Sequence, residues 1–315
     1  AQVVATGALM RDGIMVKDGS ALERLARVDR ALIDKTGSLT LGQPVPDAAL
    51  LASLPADAAG VALALAPHSR HPLSRALVKA LAEAGHVAAA VDQVEEVAGS
   101  GLRGRWNGRA VALRRPDAAT SMATALDIEG QSAWLIPFAD RLRPDADDAL
   151  ARIGALGIGA AMLSGDNERA VADMARATGL PATAGASPVE KQAAIAALQA
   201  QGHRVLMVGD GLNDGPALAA ADASIAPGTA SDVGRQAADL VFLGDSLLAV
   251  PRGIVAARRT MRVVRQNFAL AIGYNVLAVP AAILGYVTPL FAAVAMSTSS
   301  LIVIANSLRL VRATR

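Results

Sequence analysis

VLMVGDGLND, residues Val205–Asp214, is the stretch that decides the fold. An uninterrupted apolar run, Val205–Val208, breaks at a glycine and gives way to two acids, Asp210 and Asp214. The run lacks the alternation of a half-exposed strand, so it reads as a strand buried on both faces of a parallel sheet. The same order recurs upstream. Ala31–Ile33 runs into Asp34, and Gly159–Leu163 runs into Ser164, Gly165 and Asp166. A fourth run spans Leu240–Leu243, and Ala-rich helical stretches lie at Pro144–Leu156, Glu168–Thr178 and Pro188–Gln201. Strands alternating with helices predict an α/β fold built on a doubly wound parallel sheet.

Residues 46–135 interrupt that alternation. They hold a helix-like stretch, Leu73–Ala84, and an Asn107-Gly108 pair between Arg105 and Arg109. Asn-Gly in such a setting is a hairpin signal, so two strands are expected around it. The chain therefore leaves the first domain after one strand, builds a second of α+β type, and returns near Pro137.

The strand ends carry the chemistry. Ligands of open parallel sheets bind beyond the carboxyl ends of the strands, which would gather Asp34, Ser164, Asp210 and Asp214 into one crevice. Clustered carboxylates repel one another unless a cation sits among them, and hard oxygen ligands without sulfur point to Mg2+. Such a centre suits phosphoryl transfer, and one carboxylate would itself serve as nucleophile, giving an aspartyl phosphate. Lys191, in SPVEK, adds a positive charge for the phosphate. A single acid after a strand usually only caps the next helix. Several in order, at successive strand ends, make the signal.

These residues also form a signature. DKTGSLT (Asp34–Thr40) and GDGLNDGPALAAAD (Gly209–Asp222) resemble the phosphorylation and hinge motifs of P-type ATPases. Ser164-Gly165-Asp166-Asn167 is similar to the family's TGDN element, Asp140–Pro144 to its DxLRP stretch, and Ser187–Lys191 to its lysine motif. The resemblance implies a haloacid-dehalogenase-like core in which Asp34, within Asp34-Lys35-Thr36, attacks the γ-phosphate of ATP. It implies Mg2+ held by Asp34, the Thr36 carbonyl and Asp210. Ser164, with Gly165 and Asp166 beside it, and Lys191 would grip the phosphoryl oxygens, while Asn213 and Asp214 orient phosphate and metal shell. Ser38 and Ser164 stand where the family usually has threonine; Ser164 keeps the hydroxyl its role needs.

The interrupting segment then resembles a nucleotide-binding domain. SRHPLSRAL (Ser69–Leu77) is similar to the His-Pro motif of heavy-metal-transporting P-type ATPases, centred on His71 and Pro72, although Arg70 replaces the usual acid. Gly99, Gly101 and Gly104 resemble that subgroup's glycine-rich nucleotide loop. They also satisfy GxGxxG, but a hairpin pattern follows them instead of a helix, which removes the dinucleotide reading; no Walker motif exists either. The implied organisation is a linker continuing a membrane helix at 1–28, a phosphorylation domain at 29–45 and 136–250, and a nucleotide-binding domain at 46–135. Residues 251–315 would form a basic linker and two transmembrane helices.

From Gln266 to Leu308 no residue is charged. That is too long for one span of about 20 residues and suits two, expected at Phe268–Tyr286 and Pro289–Ser307, with Val287, Thr288 and Pro289 in the turn. Arginines flank both ends, placing both on the cytoplasmic side of a hairpin. Inside it, Tyr274-Asn275 and Met296 with Ser300 resemble the YN pair and MxxSS element of the copper(I) branch, and thioether sulfur suits Cu(I). Ser, Thr and Asn also pack helices together in membranes.

Composition narrows the field further. Beyond Asp245 there are eight arginines and no acid, while the whole chain carries only +2, so a mildly acidic body meets a basic, apolar tail. This favours a bilayer as partner over nucleic acid. Hydrophobic content of 53% excludes disorder, and the absence of cysteine excludes disulfides, thiolate metal sites and a cysteine nucleophile. No signal peptide pattern is present. The resemblance implies ATP-driven Cu(I) export from a cell membrane, bacterial and inner, with cytoplasmic catalytic domains and metal delivered by a metallochaperone. The family's Cys-Pro-Cys helix and actuator domain are not in this sequence, so a C-terminal part is expected. A membrane-anchored Mg2+-dependent phosphohydrolase and a non-catalytic nucleotide-binding fragment are the alternatives.

Overall fold

The computed structural model describes residues 1–17, 19–97, 100–116, 122–211, 214–286 and 288–312. Two compact units emerge. One comprises Ala1–Leu39, Arg143–Gly165 and Met174–Arg315; the other comprises Thr40–Leu142 and Asp166–Asp173.

The first unit is built on a seven-stranded sheet. In spatial order its strands are Ile14–Val16, Leu240–Phe242, Ala223–Pro227, Val205–Val208, Arg30–Ile33, Gly159–Leu163 and Ala182–Thr183. All neighbours run parallel except the edge strand Ile14–Val16, which is antiparallel to Leu240–Phe242. The four expected strands are present, and all four residues of Val205–Val208 are buried, as a doubly covered strand requires. Ala223–Pro227 escaped the sequence reading because Ala, Ser and Pro are weak strand formers; burial between two neighbours holds it extended. The expected helices occur as Ala146–Ala155, Glu168–Thr178 and Pro188–Ala200. The last starts with a capping box, in which Ser187 and Glu190 satisfy each other's backbone N–H groups.

The second unit is a six-stranded antiparallel sheet ordered Thr40–Pro46, Trp134–Leu142, Ala123–Ile128, Arg109–Arg114, Gly101–Trp106 and Asp92–Val97. Asn107 (φ 51°) and Gly108 (φ 77°) form the tight turn that their sequence announced. The helices Ala56–Leu65 and Pro72–Glu83 contribute Leu65, Leu77 and Leu81 to a core completed by Leu102, Leu126 and Ile136. The division falls at Thr40 and Leu142, outside the 46 and 135 of the sequence reading, because Thr40–Pro46 and Trp134–Leu142 pair with each other as they carry the chain out and back.

At the C-terminal end of the first unit, Ala249–Ile283 is one continuous helix of 35 residues. Its first part is core: Val250, Ile254, Ala257 and Thr260 are buried. From Phe268 onward the large apolar side chains face outward, with Leu277 76% and Ile283 80% exposed. The expected first span is thus the far half of a longer helix, and it stops at Ile283. Gly285 (φ 79°) closes it, its N–H donating to Ala282 while Tyr286 N–H donates to Ala281. A second apolar helix, Pro289–Leu308, starts at a Thr288 cap. Val287 of the expected turn lies outside the described residues. Both helices are long and apolar enough to cross a membrane. At their charged ends, Asn306 donates to Asn267 (2.9 Å), which donates to Ser307 (3.1 Å), tying them side by side.

Candidate active site

Sheet register assembles the site. Ile33 lies opposite both Val208 and Met162, so three neighbouring strands end at one level. Asp34 follows the first, Gly209 and Asp210 the second, and Ser164 the third. The Asp34 N–H donates to the Val208 carbonyl (2.8 Å), extending the ladder to Asp34 itself. Asp214 precedes the helix Gly215–Ala220, and Lys191 sits in the first turn of Pro188–Ala200.

The charges interlock. Lys191 Nζ donates to Asp34 Oδ1 and Asp214 Oδ1, each at 2.6 Å, and all three residues are buried. Carboxylate oxygens of Asp34, Asp210 and Asp214 lie within 4.8 Å of one another. Burial pushes the Asp34 carboxyl up to about 7, and the neighbouring Asp214 charge pushes the same way against the pull of Lys191. Burial works against the Lys191 charge too, yet the two carboxylates hold its pKa above the ordinary value. The Lys191 ammonium bridges two of the three carboxylates, and a divalent cation would offset charge in such a cluster. Hard oxygen donors in that number fit Mg2+.

The loop after Asp34 is shaped for close approach. Gly37 adopts φ 73°, and a Cβ there would stand 2.8 Å from Asp210 Oδ2; only glycine serves at this position. Lys35 is buried and Thr36 half-buried on the same loop. Beneath it lies buried Arg143, within the Asp140–Pro144 stretch, whose sequence alone does not mark this support of the loop. Arg143 Nε donates to the Ser38 carbonyl (2.7 Å) and Nη2 to the Gly37 carbonyl (2.8 Å), and its guanidinium lies 5.4 Å from the Phe242 ring centre.

Ser164 is buried, its backbone joined to Thr183 and Ala186, and Gly165 is exposed. Asp166 is half-buried and belongs to the other unit. Asn213 lies outside the described residues.

The second unit has its own cavity, about 720 Å³, lined by Ser69, His71, Glu96, Gly101 and Leu113 among others. His71 caps the helix that Pro72 opens, its Nδ1 accepting from Leu73 N–H (3.2 Å). Neutral His71 thus carries its proton on Nε2. Ser69 Oγ donates to Glu96 Oε1 (2.6 Å) and accepts from the His71 N–H (3.2 Å). The cavity therefore has a carboxylate although Arg70 replaces the motif's acid; nothing in the local sequence around Glu96 marks it. Gly101 (φ 114°) abuts the Leu113 carbonyl, with no room for a Cβ. Gly104 is not among the cavity's lining residues, and the space beside it is filled by Val91 and Leu65. Gly99 lies outside the described residues.

In the apolar helices the expected metal residues lie on two different helices, Tyr274 and Asn275 on Ala249–Ile283 and Met296 and Ser300 on Pro289–Leu308. Asn275 donates to its own helix at Ala271 (2.9 Å), Met296 is exposed, and among the described residues no hydrogen bond joins Tyr274 or Asn275 to Met296 or Ser300.

Comparison with known proteins bears on all three regions. A family model for haloacid dehalogenase-like hydrolases matches residues 28–222. The chain is 50% identical to the nitrogen fixation protein FixI of Rhizobium leguminosarum bv. viciae, over 98% of this chain and 42% of that protein. It is 38% identical to a probable copper-exporting P-type ATPase V of Mycobacterium tuberculosis, over 98% of this chain and 43% of that protein. A zinc-transporting PIB-type ATPase in its E2.Pi state superposes with a TM-score of 0.82 at 31% identity, covering 99% of this chain and 54% of the other. The chain spans about two fifths of the length of the curated relatives it matches. It belongs to the haloacid dehalogenase-like hydrolases, and along nearly its whole length it is similar to heavy-metal-transporting P-type ATPases.

Proposed function

We propose that this chain carries the ATP-hydrolysing units and the last two spans of a Cu(I) exporter. The observation that carries the catalytic half is the bridge from Lys191 to Asp34 and Asp214 at the ends of buried strands. Asp34 lends an oxygen to the γ-phosphorus of ATP, the bond to the β–γ bridging oxygen breaks, and ADP leaves; water later cleaves the aspartyl phosphate. Lys191 moves its charge from carboxylate to phosphoryl oxygens, which Ser164 also meets. Asp214 holds Lys191, Asn213 orients the phosphoryl group beside it, and Arg143 fixes the loop carrying Lys35 and Thr36. Asp34, Asp210 and the Thr36 carbonyl would hold Mg2+, which would neutralise phosphate charge. His71 Nε2–H and the Ser69–Glu96 pair receive the nucleotide in the second unit, with Gly101 beside them.

Both apolar helices cross the membrane and the catalytic units are cytoplasmic. Tyr274, Asn275, Met296 and Ser300 contribute soft and neutral polar ligands to the metal path, and delivery by a metallochaperone fits a thiophilic cargo. Named copper exporters among the relatives favour copper over the zinc of the superposed structure. Two measurements test this. Acid-stable, hydroxylamine-sensitive labelling from γ-labelled ATP should appear in the chain and vanish in Asp34→Asn; label persisting in that variant refutes the nucleophile. Joined to the upstream half of a relative, the chain should show ATP turnover stimulated by Cu(I) above Zn2+; the reverse order refutes copper.

A further inference from the structure

A second charged cavity, outside the phosphorylation crevice, lies in the first unit where the long helix leaves its core. It measures about 250 Å³ and is lined by Ala26, Arg27, Arg258, Met261, Arg262 and Arg265. Four of these six residues are arginines and none is an acid. Three sit at i, i+4 and i+7 of Ala249–Ile283, so one helix face presents them together. Arg258 is anchored by donating to the carbonyls of Leu156 (2.7 Å) and Val28 (3.1 Å), contacts that fix its position without cancelling its charge. Arg27 pairs with Glu23. Arg262 and Arg265 make no hydrogen bond or ion pair among the described residues, and the long helix that carries them has no acid of its own. Three of the four guanidinium groups, those of Arg258, Arg262 and Arg265, thus converge without a paired carboxylate, an arrangement that a shared anion would favour.

Position and shape narrow the anion. Arg265 precedes Phe268 by three residues, about 4.5 Å along a helix, and from Phe268 onward the helix exposes an apolar surface. The cavity thus opens at the level where water gives way to lipid. Guanidinium forks match phosphate oxygens in pairs. The volume lies just below the range of about 300–1,000 Å³ usual for drug-sized ligands, suiting a headgroup. We propose that this cavity binds the phosphate of an anionic phospholipid in the cytoplasmic leaflet, with Arg262 and Arg265 as its free forks and Arg258 as the fixed one. The proposal rests on the membrane placement of the two apolar helices.

The test uses the full chain in phosphatidylcholine vesicles with an increasing fraction of phosphatidylglycerol, counting lipid retained by the protein in native mass spectrometry. One phosphatidylglycerol should be retained. The double variant R262Q/R265Q should raise the half-saturating fraction by more than about 100-fold, since two charge-assisted hydrogen-bonding partners of the phosphate are lost. R259Q/R309Q removes the same charge outside the cavity and should change it by no more than about 25-fold, roughly fivefold per arginine from general surface attraction alone. Equal weakening by both double variants, or by neither, overturns the site. Inorganic phosphate at millimolar concentration should not displace the retained lipid; if it does, and itself stays bound in neutral vesicles, a free anion is the ligand and the lipid assignment falls. Failure to float with pure phosphatidylcholine vesicles would instead overturn the membrane placement. Normal flotation without retained phosphatidylglycerol would overturn this site alone.

Discussion

The phosphorylation crevice and the nucleotide cavity solve different problems with similar residue types. In the crevice, Asp34, Lys191 and Asp214 are 6%, 3% and 1% exposed, and each carboxylate oxygen that Lys191 reaches belongs to a different element. In the cavity, His71 and Glu96 are exposed and are held by bonds to Leu73 N–H and the Ser69 hydroxyl, both nearby. Buried charge binds the crevice's chemistry to its stability, because any partner removed leaves an uncompensated ion. The cavity pays little for folding and can be altered at the expense of affinity alone.

Four substitutions probe that contrast, in order of expected effect. Lys191→Met should lower unfolding free energy by about 3 kcal/mol and abolish phosphoenzyme. Combined with Asp214→Asn, it should cost at least about 1 kcal/mol less than the sum of the singles, read by denaturant unfolding; strict additivity would break the claim that the crevice is one unit. Arg143→Met should cost about 2 kcal/mol, since the carbonyls of Gly37 and Ser38 lose a charged donor, and slow labelling of Asp34. Unchanged labelling kinetics would show that the loop holds itself. His71→Ala should raise KM for ATP about tenfold with kcat nearly constant, the pattern of lost uniform binding. A fall in kcat alone would place His71 in the chemistry and erase the contrast.

The smallest effect concerns Asp145, whose carboxylate accepts from the Ser246 hydroxyl and the Leu247 N–H. Burial alone would raise its pKa, but these bonds outweigh it and hold the pKa below 3.8. A group with a depressed native pKa stabilises the fold above its unfolded value and loses that contribution as pH falls through the native one. Wild type should therefore lose stability below about pH 4 by a margin that Asp145→Asn does not show, measured as melting temperature against pH. Parallel curves would remove Asp145 from the account.

Legibility followed range. The strand Val205–Val208 and the Asn107-Gly108 turn are settled by neighbours a few residues apart, and each was readable from the chain. So were Asp34, Asp210 and Asp214, because parallel strands deliver their carboxyl ends to one edge whatever lies between them. Ala223–Pro227 was missed because burial, and not propensity, makes it a strand. Glu96 was missed because its place in the cavity depends on Ser69, which is 27 residues away. The boundary between the units shifted because a strand pair bridges it, and pairing partners are not marked locally.

The amino-acid order by itself determined the doubly wound sheet, the inserted antiparallel unit, the carboxylate edge and the two apolar helices, since periodicity and turn chemistry act over short stretches. Only the tertiary structure decided that Lys191 is shared by Asp34 and Asp214, that Arg143 supports the loop, and that a basic cavity opens where the long helix leaves the core. The reason is distance along the chain. Lys191 is 157 residues from Asp34, and Arg143 is 105 from Ser38. Contacts at such separations exist only once a packed core has fixed where every element lies.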